Sequence, residues 1–351
     1  MVYLDYAATA PILSVAREAM REAEERFFAN ASALHTPGHL ALNEIEECRE
    51  ILAEMVGCEP DEIIFTSGAT ESNNTVMHIF EGCKIEVSPY EHHSIMEAAR
   101  VYRGKNQPTL YSYMLANNEI GEFIDLPQKS DSNEYLHSDL TQVLGKMPID
   151  VKKLGLDYAT FSAHKIGGPI GVGALYVKNG APFKPLLIGG NQEKKRRGGT
   201  YNTVGIIGFK AALKYVRDND IYNIYDTKLR KLRDTLAKRI LQEIPGSSLN
   251  TDIRRDKSLP NILNASFRAA EGESIQLYLD AEGIVVSTGS ACAAGDIKPS
   301  HVLMAKTGDA EVAHSSIRFS FGPDNTSADV ERVMQVLPGI ITRLQGLSTI
   351  R

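Results

Sequence analysis

Cysteine is scarce in this chain, four residues in 351, and no two of the four form a C-x-x-C pair. That pattern argues against both a zinc site and a secreted disulfide framework. No segment approaches the roughly 18 uninterrupted apolar residues that a membrane span requires. The start, Met-Val-Tyr-Leu-Asp-Tyr, has an acid at Asp5 and no basic flank or apolar run. Positive charge is not in excess either: a net charge of −6 gives no general attraction to nucleic acid or to an anionic membrane. Internal repeats and low-complexity tracts are missing. These absences lead to the expectation of a cytoplasmic protein with no membrane partner and no direct nucleic-acid partner.

What is present suffices for a sizeable core. At 43% apolar composition over 351 residues, one large domain and a smaller one are expected. Apolar runs that read as buried strands fall at Ile63 to Thr66, Lys84 to Ser88, Thr109 to Leu115, Tyr135 to Asp139, Asp157 to Phe161 and Gly171 to Val177. They alternate with amphipathic helical spacing at Ser14 to Phe27, Leu40 to Val56, Thr70 to Phe80, Ser94 to Arg103 and Val204 to Val216. The alternation predicts an α/β unit whose mostly parallel sheet is covered on both faces.

From about Asp226 to Ile244 a long charged helix, with Leu229, Leu232, Leu236 and Ile240 on one face, leads onward. Leu259 to Phe267, Glu273 to Ala281, Ile284 to Ser287, Ser315 to Phe321 and Ser327 to Leu344 then read as strand, helix, strand, strand, helix, a small α+β unit. The expected division is 13–245 for the large domain, and 1–12 with 246–351 for the small one.

The cysteines are of two kinds. Cys48 lies in the helical pattern Leu42, Ile45, Cys48, Leu52, Met55 and reads as a small buried hydrophobe. Cys58 and Cys83 stand at segment ends beside Gly57 and Gly82, with nothing nearby to activate a thiol. Cys292 differs, because it follows Ser287-Thr288-Gly289-Ser290-Ala291 and precedes Ala293, Ala294 and Gly295, too little bulk to bury it. A loop of such small residues can swing, and an exposed thiol of lowered pKa is a good nucleophile.

Three further segments carry candidate chemistry. A strand ending at Phe65-Thr66 runs into Ser67-Gly68-Ala69-Thr70-Glu71 and then a helix. Small residues let a phosphate approach, the helix's free N–H groups and dipole attract it, and the Thr70 hydroxyl adds a donor. Taken alone, the plainer reading is favoured: a strand-to-helix turn capped by Ser67 or Thr70.

In Phe161-Ser162-Ala163-His164-Lys165-Ile166-Gly167-Gly168-Pro169, a lysine sits just past a strand, after a hydroxyl and an imidazole and before a glycine turn. An amine there, partly desolvated or near another cation, can form a Schiff base with an aldehyde cofactor. The alternative is an ordinary solvated lysine in a loop. Upstream, His137-Ser138-Asp139-Leu140-Thr141-Gln142 ends another strand with an acid and an amide three residues apart. These can grip a pyridinium nitrogen and a phenolate oxygen, or else be a capping Asp with an exposed Gln. His35 and His39 have the spacing of a metal pair on a helix, but no third ligand accompanies them, and surface or entry-loop roles are the better reading.

In order and together, these segments resemble the cysteine desulfurases of the class V, fold-type I pyridoxal-phosphate enzymes, over nearly the whole chain. The stretches that carry the likeness are Tyr3 to Thr9, Ile63 to Asn74, Ala116-Asn117-Asn118-Glu119-Ile120-Gly121, Ser162 to Lys165, Arg196 to Thr200, Ser287 to Cys292, and Ser316 to Ser320. The resemblance implies a large mostly parallel-sheet domain with a smaller α+β C-terminal domain, pyridoxal 5'-phosphate as cofactor, L-cysteine as substrate and a homodimer.

Site roles follow from the same likeness. It implies that Lys165 holds the cofactor and moves protons on the substrate carbon, while Asp139 keeps the ring nitrogen protonated so that the ring draws electrons. Gln142 would contact the phenolic oxygen. His92, in Tyr90-Glu91-His92-His93, would stack on the ring as an acid or base; His93 competes for that role, but its family counterpart is commonly a proline. Ala69, Thr70, Ser162 and His164 would form the phosphate side of the cofactor site, and Thr200 would reach the phosphate from the partner subunit. Asn118 would lie against cofactor and substrate, with Arg318 clamping the substrate carboxylate. Cys292 would take the sulfur as a persulfide, alanine would leave, and the loop would carry the sulfur to an acceptor protein, an iron–sulfur scaffold or a tRNA-thiolation relay.

The chain also departs from the family pattern. Gly167 and Ile170 stand where an aromatic and a lysine are usual after the cofactor lysine. The segments between His93 and Thr109 and between Gly121 and Tyr135 are short. The second leaves only Pro127 to Asn133 for a crossover that ordinarily takes about a dozen residues or more, which predicts a lost or one-turn helix. The rival readings are a selenocysteine lyase, which the same catalytic set would serve, and a class V aminotransferase acting on small amino acids, against which Cys292 speaks. Outside catalysis, a cofactor-binding scaffold is the alternative; Lys165, Asp139, His92, Cys292 and Arg318 together argue against it.

Overall fold

The computed structural model describes residues 1–288 and 299–347. Contacts group the chain into two units, Ala10–Leu115 with Ile124–Tyr222, and Met1–Thr9 with Ala116–Phe123 and the chain from Asn223 onward.

The first unit is built on a six-stranded sheet in the order Ile63–Thr66, Gly173–Val177, Tyr158–Ser162, Glu134–Asp139, Asn106–Ser112, Cys83–Val87. Gly173–Val177 runs antiparallel to both of its neighbours, and every other link is parallel. Tyr158–Ser162 and Gly173–Val177 are buried at every residue, as uninterrupted apolar strands must be when helices cover both faces. The helices Ala69–Ile79 and His93–Tyr102 bring Val76, Met77, Phe80 and Ile95 onto Ile85, Leu110, Tyr158 and Leu175, and this cluster is the core beneath the site.

Where boundaries moved, the cause is local. The helix expected from Leu40 begins at Thr36, because His35 Nδ1 accepts the Gly38 N–H at 3.2 Å and Pro37 sits in the first turn, where its missing N–H is not needed. His35 is therefore a cap outside the helix, and it does not form a helical pair with His39. The strand placed at Thr109 to Leu115 lies three residues earlier, at Asn106–Ser112.

Residues 113–133 contain no helix although the strands they join are parallel neighbours. The expected loss of the crossover helix is thus complete. The sheet compensates with polarity at this edge: Lys84, Glu86, Tyr111 and Glu134 share one face by register. Lys84 pairs with Glu86 at 2.5 Å, and Tyr111 Oη donates to Glu134 Oε1 at 3.2 Å.

In the second unit the charged helix is Arg230–Glu243, entered through a π-helical turn at Tyr225–Leu229 and not as one unbroken α-helix from Asp226. Leu229, Leu232, Leu236 and Ile240 are buried, as their spacing required. A three-stranded antiparallel sheet has the order Ser316–Ser320, Ile262–Phe267, Ser247–Leu249, and Val2–Tyr3 pairs in parallel with Ile284–Val285. The helices Gly272–Ala281 and Ser327–Leu347 complete the α+β pattern. The strand Ser247–Leu249 and the short helices His301–Thr307 and Ala310–His314 had no counterpart in the sequence reading.

Candidate active site

Three strand ends line up across the large sheet. Thr66 registers with Gly173, Gly173 with Ser162, and Asp139 with Thr160 one strand further on. The carboxyl ends of parallel strands are where open α/β sheets bind ligands, and the segments around Thr66, Asp139 and Ser162 that the sequence singled out end there.

Lys165 follows Ser162 on the 3-10 turn Ala163–Ile166. Gly167 ends that turn at φ 79°, where a Cβ would stand 2.6 Å from Leu13 Cγ, so the turn is closed by glycine of necessity. Lys165 is half-buried on this fixed turn and is not a solvated loop lysine. Its neighbour His164 has its pKa pushed down to about 4, by burial first and then by the charges of Lys165 and Lys146. It is neutral at physiological pH and keeps an N–H to donate.

Asp139 is buried and accepts twice: Oδ1 from the Thr141 N–H and Oδ2 from Asn73 Nδ2, both at 2.9 Å. Gln142 is buried as well, which corrects the alternative of an exposed amide. Lys146 Nζ donates to Gln142 Oε1 at 2.8 Å, which assigns the other end of the amide as its N–H donor end. His92 caps the helix His93–Tyr102, with Nδ1 2.9 Å from Ser94 Oγ, whereas His93 is exposed.

At the phosphate side the helix Ala69–Ile79 starts behind Gly68 with no side-chain cap, so neither Ser67 nor Thr70 plays the capping role considered from the sequence. Glu71 Oε2 turns back to accept the Ser67 N–H at 2.8 Å, and Arg197 holds the carboxylate from Nε to Oε1 at 3.0 Å and from Nη2 to Oε2 at 3.2 Å. Ala69 and Thr70 thus open the helix, and the Thr70 hydroxyl lies at an exposed position. The turn is pressed onto the sheet. A Cβ on Gly173 would lie 2.6 Å from Gly68 Cα and 2.7 Å from Phe161 O.

The donor set has a definite chemistry. It offers a carboxylate for a protonated ring nitrogen, an amide N–H for a phenolic oxygen, an amine for an aldehyde, and helix N–H groups with two hydroxyls and a neutral imidazole for a phosphate ester. These are the polar ends of pyridoxal phosphate, and the residues present fit it.

Asn118 and Arg318 come together in the second unit. Arg318 is buried; its Nη1 donates to Asn118 O at 2.9 Å and its Nη2 to Asp5 Oδ1 at 2.7 Å, while its Nε has no partner among the described residues. That leaves one N–H edge of a pre-oriented fork for an incoming carboxylate. Glu119, next to Asn118, is hydrogen-bonded by the Ser300 hydroxyl, and burial pushes its carboxyl up to about 7 against that bond and the Arg318 charge. Thr200 is exposed, and Cys292 lies outside the described residues. The other thiols are unreactive in kind: Cys48 is fully buried, and burial pushes Cys58 up to about 12 and Cys83 upward as well.

Sequence reasoning missed Asn73, Ser94 and Lys146, which touch Asp139, His92 and Gln142. Only spacing hinted at them: Ser94 stands two residues past a capping histidine, and Lys146 is one helical turn's distance beyond Gln142. Asn73 carried no local signal, since its partner is 66 positions away.

Comparison with known proteins agrees in one direction. The chain matches the family described as Aminotransferase class-V over residues 2–110 and 102–333. A protein named cysteine desulfurase IscS from Dictyoglomus turgidum is 38% identical over 385 aligned residues, which cover 99% of this chain and 96% of that one. Its namesake from Methanosarcina thermophila is 37% identical, covering 99% and 93%. Among solved structures, a NifS-like protein superposes with a TM-score of 0.86 at 32% identity over 97% of this chain and 99% of that one. A NifS-like protein from Rickettsia africae does so at 0.87 and 31%, with the same coverage.

Proposed function

The chain belongs to the class-V aminotransferases and, within them, to the pyridoxal-phosphate-dependent cysteine desulfurases, and from that premise we propose how its own residues divide the work. The observation that carries the reading is the gathering of Lys165, Asp139, Gln142, Ser162 and His164 at the carboxyl ends of adjacent strands, with Asn73 drawing the helix of Thr70 onto Asp139.

Pyridoxal phosphate supplies an aldehyde for the substrate amine and a ring that withdraws electrons from the α-carbon. Lys165 would hold the cofactor and would move the substrate's α-proton. Asp139 would keep the proton on the ring nitrogen, the N–H end of Gln142 would serve the phenolic oxygen, and His92 would stack on the ring. The Ala69 and Thr70 N–H groups, the Thr70 and Ser162 hydroxyls and neutral His164 take the phosphate. Asn118 borders cofactor and substrate, and the Arg318 fork takes the carboxylate of L-cysteine. Cys292 Sγ then bonds to the substrate sulfur. The Cβ–S bond breaks with its electron pair left on carbon, and that carbon takes up the proton shed by a thiol. L-cysteine and one thiol thus give L-alanine and one persulfide.

The working unit is a homodimer in this reading, with Thr200 completing the partner's phosphate site. Its support is the exposure of Thr200 and of two large apolar side chains, Ile170 at 77% and Ile188 at 89%. The persulfide passes to a sulfur-acceptor protein, an iron–sulfur scaffold or a tRNA-thiolation protein, in the cytoplasm. The free state of Cys48, Cys58 and Cys83 is consistent with that reducing compartment.

The decisive comparison is wild type against Cys292→Ala, following alanine and sulfide release from L-cysteine with a thiol reductant. Loss of both products with the yellow cofactor retained is expected. Unchanged turnover would remove Cys292 from the reaction.

A further inference from the structure

We infer that Asn73 and Ser94 are positioning residues that hold His92 as the tautomer with its proton on Nε2, tied through two side chains to Asp139. The inference rests on the placement of His92 and Asp139 at the cofactor, proposed above, and assigns them a shared hydrogen-bond chain.

The direction of each bond in that chain is fixed from one end. Asp139 accepts at both oxygens, from the Thr141 N–H and from Asn73 Nδ2, each at 2.9 Å. The same Asn73 nitrogen lies 2.9 Å from Ser94 Oγ. A carboxamide carries two hydrogens on nitrogen and none on oxygen, so turning it over would set Oδ1 against the Asp139 carboxylate, acceptor facing acceptor. The nitrogen therefore faces both partners and spends one hydrogen on each. Asn73 Oδ1 is left buried without a partner, which is the disadvantage this orientation carries and which the reverse orientation would exceed.

Ser94 Oγ, having accepted from Asn73, directs its own hydrogen to its remaining neighbour, His92 Nδ1, at 2.9 Å. The Ser94 backbone N–H points at the same nitrogen from 3.2 Å. Two donors converging on Nδ1 require a lone pair there, which places the proton of the neutral ring on Nε2. His92 thus enters turnover able to donate a hydrogen bond from Nε2 and unable to accept a proton at that atom. Of the two roles, acid or base, that the sequence left open, the chain closes that of base at Nε2 for the first transfer and leaves that atom a hydrogen-bond donor.

The test uses holoenzyme labelled with 15N-histidine, read by long-range 15N–1H NMR, with the His92 signals assigned by their absence from His92→Gln. Wild-type His92 is expected to show an unprotonated Nδ1 and a protonated Nε2. In Ser94→Ala and Asn73→Leu the two tautomers should mix, with kcat down roughly tenfold, a part of what a well-placed hydrogen-bonding or proton-transfer group contributes, and KM for L-cysteine little changed. Ser94→Thr, which restores the hydroxyl, should recover both. A wild-type Nδ1 that carries the proton overturns the inference, as do His92 signals and kcat that stay put in both variants. The tautomer measurement on wild type needs no variant to fold. Failure of the active-site reading would be seen separately, as cofactor bound unchanged in Lys165→Ala.

Discussion

Arg49 and Glu193 form a two-pronged ion pair away from water, Nη1 to Oε2 at 2.8 Å and Nη2 to Oε1 at 2.9 Å, with side chains 6% and 1% exposed. Glu193 Oε2 also takes the Phe65 N–H at 3.3 Å, and the Arg49 guanidinium lies 4.8 Å from the Phe65 ring centroid. Glu193 opens a run of three non-glycine residues at positive φ, 49° at Glu193, 56° at Lys194 and 68° at Lys195. Each such conformation costs on the order of 1 kcal/mol or more and persists only where its surroundings enforce it. The pair is that enforcement, and the turn it holds leads directly into Arg196 to Thr200.

Glu193→Leu removes the buried partner of Arg49 and leaves it only Glu46, a half-exposed carboxylate at 3.0 and 3.1 Å, and it is expected to destabilise the protein by about 2–4 kcal/mol, somewhat less than a wholly unpaired buried charge. Urea unfolding checks it. The double variant Arg49→Met/Glu193→Leu should regain most of the loss, because the one charge it leaves without this partner, on Glu46, is half-exposed to water. A single variant within about 1 kcal/mol of wild type would show that the pair does not hold the turn.

Glu91 gives a pH dependence whose sign can be worked out. Burial is the main cause that pushes its carboxyl up to about 8, with Asp139 adding to it, against hydrogen bonds from the Ser88 hydroxyl and the Met114 N–H. In the unfolded chain the group ionises near pH 4.5, whereas in the folded protein it keeps its proton until about 8. Its contribution is therefore fully present below pH 4.5 and declines as pH rises through 8, by a few kcal/mol in order of magnitude. Glu91→Gln preserves an acceptor for both donors and removes the titration. Wild type should lose stability relative to the variant between pH 5 and pH 8.5; parallel stability curves would contradict the shift.

The fold was legible wherever local pattern and burial coincide. Ile63–Thr66 was found to the residue because all four of its positions are buried and Ser67-Gly68 punctuates its end. The crossover without a helix was legible from chain length alone. The start of the helix at Thr36 was not, because a histidine cap is uncommon and the apolar stripe begins only later. Of the candidate site, the residues proposed to hold the cofactor from the large sheet were readable as motifs at strand ends. The residues that orient them were not: Asn73, Ser94 and Lys146 owe their roles to neighbours fixed by tertiary packing, for which spacing along the chain holds no signature.

Arg318 is held in place by Asp5 and by Asn118 O, with Nε unpartnered among the described residues. Arg318→Lys keeps the charge but loses the fork. It should raise KM for L-cysteine by roughly 10- to 100-fold, the equivalent of one charge-assisted hydrogen bond of about 1.5–3 kcal/mol. Asp5→Asn should raise KM in the same direction while leaving kcat near wild type, since it loosens the aim of the guanidinium and touches no reacting atom. Steady-state kinetics over a range of L-cysteine concentrations separates the two parameters. A variant at either position with KM unaltered would free Arg318 from carboxylate recognition.

The polypeptide passes between its two units four times, at 9/10, 115/116, 123/124 and 222/223. No single scission can therefore release either unit as a continuous piece. A break at 222/223, which looks like a natural boundary, leaves residues 1–9 and 116–123 of the second unit stranded on the other fragment, and with them Asp5 and Asn118, the two groups that steady Arg318. Truncation or fragment exchange in this protein removes part of the grip on Arg318 even when the severed bond lies about a hundred residues from that arginine in sequence.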